Sequence, residues 1–157
     1  MKSICSKINQ RLFFLRKLKR AAMSNDDLVA YYCTVIRPVA EYACAVWHTG
    51  LTDGQSEHLE HLHRRAINII FGGKLDFKSA CMIYDIDPTL ASRRESQTMR
   101  LFRDLQNSDH CLHYLLPEKR DPEIIARLRI AKPYEPPFAR TSRFQNSFLI
   151  YSLNNYQ

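Results

Sequence analysis

Residues 31–48 read YYCTVIRPVAEYACAVWH, an apolar and aromatic run that Arg37 and Pro38 interrupt. Its apolar residues recur at helical spacing, which puts Tyr32 and Val35 on one face of a helix. The run is about as long as a membrane span, but charged residues near its centre would be costly in hydrocarbon. The stretch therefore predicts a buried helix that Pro38 bends or restarts, because proline lacks an amide donor.

Helical periodicity continues on both sides of this run. Ser24, Thr52 and Asp87 are residue types that start helices, and Gly72-Gly73 is typical of a helix end. The expected helices cover residues 3–23, 25–36, 53–71, 77–84 and 88–106. The chain has only four glycines, and few of its segments alternate with the period of a strand. The sequence predicts a mostly α fold, a bundle of about five helices.

The character of the chain changes after Pro117. Pro117 and four further prolines are spaced along residues 117–157, which are basic and only weakly periodic. We therefore expect two domains: a helical domain over residues 1–116 and an irregular basic C-terminal tail, containing prolines, over residues 117–157.

The formal net charge of +7 is concentrated at the two ends of the chain. Residues 1–20 hold seven basic residues and no acidic one. A localised basic face attracts phosphate, so this segment predicts sequence-nonspecific nucleic-acid binding. The candidate binding residues are Arg11, Arg16, Lys17, Lys19 and Arg20, with Arg64 and Arg65 as a second group. The alternative for the second group is a solvated helix face on which Glu60 and Arg64 form an ion pair.

The cysteines and histidines offer no clear site. The five cysteines are scattered and never form C-x-x-C, which is typical of reduced thiols in an intracellular protein, cytoplasmic or nuclear. His58 and His61 could share a metal only with a third ligand from elsewhere. Glu57 and Glu60 indicate that these histidines and His63 lie on an exposed polar face. We predict no metal site.

Several fragments together resemble a known family. They are residues 8–21 (INQRLFFLRKLKRA), 32–48 (YCTVIRPVAEYACAVWH), 64–72 (RRAINIIFG), 111–117 (CLHYLLP) and 140–156 (RTSRFQNSFLIYSLNNY). Their order and spacing resemble the C-terminal thumb and post-thumb region of jockey-like non-LTR (LINE-type) retrotransposon reverse transcriptases. The resemblance implies that residues 1–116 form a thumb-like helical bundle.

The same resemblance implies a fragment of an RNA-directed DNA polymerase without its catalytic part. A palm needs adjacent aspartates, whereas Asp85 and Asp87 alternate and Pro88 follows directly. We therefore expect no catalytic residue, no cofactor in this chain and no activity of the chain alone; the family implies Mg²⁺ in the absent palm. The implied partners are an RNA template, an RNA–DNA or DNA primer duplex bound without sequence preference, and the missing palm and fingers, but no membrane.

Two other hypotheses remain open at this point. In the first, the chain is a non-enzymatic helical protein-interaction module derived from a mobile element, and its basic ends only confer solubility. In the second, it is an enzyme built on the histidines. Salt-dependent binding to nucleic acid distinguishes the polymerase fragment from the interaction module.

Overall fold

Helices dominate the computed structural model, which describes residues 2–127, 129 and 132–157. Over these residues the only β pairing is an isolated bridge between Lys119 and Tyr134. The predicted mostly α fold is confirmed. No helix in the described part of the chain is long and apolar enough to cross a membrane. The α-helices are α1 (Lys2–Arg20), α2 (Asn25–Tyr31), α3 (Arg37–Glu41), α4 (Cys44–Trp47), α5 (Asp53–Phe71), α6 (Phe77–Ile83), α7 (Leu90–Leu105), α8 (Pro122–Arg127), α9 (Ser142–Gln145) and α10 (Phe148–Asn155).

The chain divides into two compact units. The first consists of Met1–Ala43 and Leu51–Arg94, and the second of Cys44–Gly50 and Glu95–Gln157. The expected domain boundary after residue 116 does not coincide with this division and stays a prediction.

The first unit is built on the two longest helices, α1 and α5, which pack against each other. The inner face of α1 buries Ile8, Leu12 and Leu15. Thr52 begins α5 with the predicted capping box, and Gly72 ends it in the left-handed conformation at φ 60°. The buried side chains of α5 are Leu59, Leu62, His63, Ala66, Ile67, Ile70 and Phe71.

Pro38 lies just after a change in helix type. Between α2 and α3, residues Tyr32–Ile36 form a π-helical turn, and the Arg37 N–H donates to the Tyr32 carbonyl five residues earlier. A proline has no amide donor and crowds the preceding turn, so a wider turn lets the helical path continue. The helix predicted over residues 31–48 extends only to Glu41, because Ala43 has a positive φ of 49° and Cys44–Trp47 form the separate helix α4. Its buried residues recur at every fourth position, at Leu28, Tyr32, Ile36 and Ala40.

The start of α7 differs from the expectation. The sequence predicts a helix from residue 88 with Asp87 as its cap, but the helix begins at Leu90. The Asp87 carboxylate instead accepts a hydrogen bond from Arg93 Nη1 at 2.7 Å. The Glu60 carboxylate of α5 accepts from the backbone N–H groups of Leu90 and Ala91, at 3.1 and 2.8 Å. Thr89, directly before the helix, caps α7 locally, since its Oγ1 accepts from the Ser92 N–H at 3.3 Å. Glu60 adds a second cap from thirty residues away, which local sequence patterns cannot reveal.

The second unit has a small core of its own. Phe102, Tyr134 and Leu153 are buried together. They come from α7, from the loop after Pro133 and from α10. The segment expected to be irregular, residues 117–157, includes α8, α9 and α10. Phe148 and Tyr156 pack against this core, so the last residues of the chain contribute to it.

Candidate nucleic-acid interface

One side of α1 carries cations and aromatic rings toward solvent. We define the outer face of α1 as its exposed residues Lys2, Lys7, Gln10, Phe13, Phe14, Lys17 and Arg20. Residues three, four and seven apart are neighbours on a helix surface, so Gln10, Phe13, Phe14 and Lys17 are contiguous and Arg20 extends the row. α1 contains no Asp or Glu. The nineteen residues of this helix extend over roughly 27 Å.

The other predicted cations of α1 have partners within the protein. Arg11 Nη1 donates to the Val35 carbonyl, and Lys19 Nζ donates to Asn25 Oδ1 at 2.9 Å. Arg16 Nε donates to the Leu12 carbonyl at 3.3 Å. These three side chains are half-buried, whereas Lys17 and Arg20 are exposed. The structure thus brings Lys17 and Arg20 together on the outer face of α1; phosphate contact by any of the five stays a prediction.

Arg64 and Arg65, the second predicted group, are both exposed on α5. The Arg64 guanidinium lies over the Phe77 ring, 5.9 Å from its centroid. Glu60, the ion-pair partner considered for Arg64 from the sequence, instead lies 3.7 Å from Arg94 Nη2 and caps α7. Arg64 is therefore exposed, with its charged group in a cation–π contact with an aromatic ring.

His63 is buried, so the expectation of an exposed polar face is wrong for this histidine. Its Nε2–H donates to the Asp87 carbonyl at 3.2 Å, and its Nδ1 accepts from the Tyr32 hydroxyl. Burial lowers the pKa of His63 and raises the pKa of Tyr32. The pair is therefore a neutral, hydrogen-bonded part of the core. His63 follows Leu59 and Leu62 on the buried stripe of α5, and this spacing was the signal in the sequence.

The described residues include no group of three or more His, Cys, Asp or Glu side chains that could hold a metal ion. All five cysteines are free thiols. Cys81 is buried, and burial raises the pKa of its thiol, which disfavours the nucleophilic thiolate.

Several aromatic residues outside the predicted binding groups are exposed. Within residues 31–48, Tyr32 is buried, whereas Tyr42 is 81% exposed. On α1, Phe14 is 57% exposed and Phe13 is 52% exposed. Ile8, Leu12 and Leu15 already fill the buried side of α1. Their narrow stripe was the signal that the two phenylalanines face outward.

Comparison with known proteins gives one partial match. The family model described as "Alkylated DNA repair protein alkB homolog 8, N-terminal" matches residues 1–37 of the 157. No curated protein and no solved structure matches the chain.

The identification as the thumb and C-terminal part of a jockey-like non-LTR reverse transcriptase is therefore wrong. The family model that matches the basic helix belongs to a DNA repair protein and not to a reverse transcriptase family. The predicted function as a polymerase fragment is therefore wrong as well. The same holds for the mobile-element origin that was expected of the alternative interaction module. The physical reason is that short apolar and basic helical fragments are each weakly specific, because any amphipathic basic helix uses the same residue types.

Proposed function

We propose that this chain binds nucleic acid through the phosphate backbone, along the outer face of α1 and without preference for base sequence. The observation that carries the proposal is the exposure of Lys17 and Arg20 on a helix that has no carboxylate. Lys2 and Lys7 extend the same face toward the N-terminus of the helix. Its charge is of one sign over its whole length, which suits a polyanion better than a mixed surface.

The contacts expected of these side chains explain the lack of sequence preference. Exposed lysine and arginine side chains on a helix face reach phosphate oxygens, and such contacts position a protein without reading bases. Binding also releases condensed counterions, which gives affinity that decreases as salt rises. We assign Lys17 and Arg20 the main contacts and Arg64 and Arg65 a secondary role. Arg11 and Lys19 would mainly hold α1 in place through hydrogen bonds to Val35 and Asn25, and Arg16 bonds to Leu12 within α1.

The partial family match supports the same region. Its description names a DNA repair protein, and the matched residues 1–37 include all of α1. We propose an RNA–DNA hybrid or a DNA duplex as ligands to test, together with single strands. The free thiols of all five cysteines support an intracellular location, cytoplasmic or nuclear, where thiols stay reduced.

Fluorescence anisotropy with a labelled RNA–DNA hybrid at low salt tests the proposal. We expect the double variant K17E/R20E to bind at least tenfold more weakly than the parent chain. A matched control is R100E/R103E, which reverses two exposed arginines of α7 and changes the net charge by the same amount. Equal loss in both double variants would mean that net charge alone attracts the nucleic acid. Absence of binding by the parent chain would refute the proposal.

A further inference from the structure

Phe13 and Phe14 form an exposed aromatic pair within the basic face. They are 52% and 57% exposed, although large apolar side chains of a helix ordinarily turn inward. Their ring centroids lie 5.7 Å apart with an interplanar angle of 76°, an edge-to-face pair. Both residues belong to α1, an uninterrupted helix of nineteen residues, so the rings are held on a rigid support.

A cation lies directly beside these rings. Lys17 Nζ is 5.4 Å from the Phe13 ring centroid, within the range of a cation–π contact. Gln10 borders the pair on the other side, at positions i−3 and i−4 from the two rings. One side of α1 therefore combines flat apolar rings, an amide and an ammonium group within two helical turns.

We propose that Phe13 and Phe14 stack on unpaired bases, so that the outer face of α1 binds single-stranded nucleic acid in preference to duplex. This inference rests on the proposed function and specifies its ligand. A nucleotide in a single strand offers a base with a free π-face beside a phosphate, and the Phe13–Lys17 pair is complementary to both. In a duplex the base faces are stacked inside the helix, and only the phosphates remain for Lys17 and Arg20.

The positive charge of the outer face of α1 favours single-stranded nucleic acid over an apolar protein surface as the ligand of the two rings. A partner helix or strand would have to cover the two rings and also neutralise Lys7, Lys17 and Arg20, none of which has a carboxylate partner on α1. A polyanion with an aromatic group in each repeat meets both requirements. Stacking on a ring tolerates every base, so this contact preserves the indifference to sequence.

Paired binding measurements with one oligonucleotide, as a single strand and as a hairpin duplex, test the inference. We expect the parent chain to bind the single strand at least tenfold more tightly at the same salt. The variant F13A/F14A should lose about tenfold or more on the single strand and less than about threefold on the duplex. The matched control is Phe138→Ala, which removes an 85% exposed phenylalanine outside α1 and should change the affinity for either ligand by less than about threefold. K17E/R20E should bind both the single strand and the duplex more weakly than the parent chain.

A spectroscopic readout tests stacking directly. In the variant Phe14→Trp, addition of the single strand should quench the new indole fluorescence, with the parent chain and its single Trp47 as the reference. The inference is overturned, while the proposed function survives, if both ligands bind equally and F13A/F14A changes neither. Binding of neither ligand overturns both. Tighter binding to phosphatidylserine vesicles than to the single strand, or self-association lost in F13A/F14A, would show that lipid or a second copy covers the rings.

Discussion

The contact between Glu60 and the start of α7 provides the sharpest test of how the first unit is held together. The Glu60 carboxylate accepts from two backbone N–H groups, at 3.1 and 2.8 Å, and lies 3.7 Å from Arg94 Nη2. The Arg94 side chain is fully buried, and the Glu60 side chain is only 16% exposed. Glu60→Ala removes a charge beside a buried guanidinium, which typically costs about 3–5 kcal/mol. This range already includes the smaller loss from uncapping the helix, about 1 kcal/mol.

Urea unfolding monitored by far-UV circular dichroism measures this loss. With a slope of about 2 kcal/mol per molar, Glu60→Ala should lower the midpoint by about 1.5–2.5 M. The control is the double variant E60M/R94M, which replaces the ion pair by apolar side chains and should recover most of the lost free energy of unfolding. Two results would refute the reasoning: a Glu60→Ala midpoint within about 0.2 M of the parent, or a double variant less stable than Glu60→Ala.

Two further predictions concern the first unit. Burial lowers the pKa of His63 below its ordinary 6.5. As pH falls, His63 therefore binds a proton in the unfolded chain at a higher pH than in the folded chain. The free energy of unfolding should therefore be fully retained above pH 6.5 and decrease below it. Measured between about pH 5 and pH 8, the free energy of unfolding of His63→Phe should decrease less steeply with falling pH than that of the parent. Identical dependence on pH in the two proteins would contradict this. Gly72→Ala should lower the free energy of unfolding by about 1 kcal/mol, because Gly72 has a φ of 60° that alanine adopts only with strain. Gly54→Ala, within α5, should be neutral or stabilising. A lower melting temperature for Gly54→Ala than for Gly72→Ala would contradict the assignment of Gly72 as the left-handed end of α5.

Local features of the fold could be predicted from the sequence, because their causes lie within a few residues. Ser24 caps α2 and accepts from the Asp27 N–H, and Thr52 and Gly72 bound α5, all as expected. The second cap of α7 could not be predicted, since Glu60 reaches the first N–H groups of that helix from another helix. The burial of His63 follows from its place beside Leu59 and Leu62 on α5, whereas its hydrogen bond with the distant Tyr32 hydroxyl could not be predicted.

The candidate interface was predictable in its location but not in its composition. The cluster of basic residues indicated α1, and the structure has cations on the outer face of that helix. Which cations are exposed depends on acceptors outside the helix: Arg11 bonds to Val35 and Lys19 to Asn25. The exposed phenylalanines are not among the predicted binding residues, although the narrow buried stripe of α1 leaves Phe13 and Phe14 outside it.

The salt dependence of nucleic-acid binding tests the central claim most directly. Each phosphate contact contributes about 0.9 to the slope of log K against log salt on duplex DNA. Four contacts from Lys2, Lys7, Lys17 and Arg20 predict a slope of about −3.6 for the parent chain, reduced in magnitude by about 1.8 in K17E/R20E. The control R100E/R103E should keep the parent slope. A parent slope near zero, or the same slope in K17E/R20E as in the parent, would contradict binding at the outer face of α1.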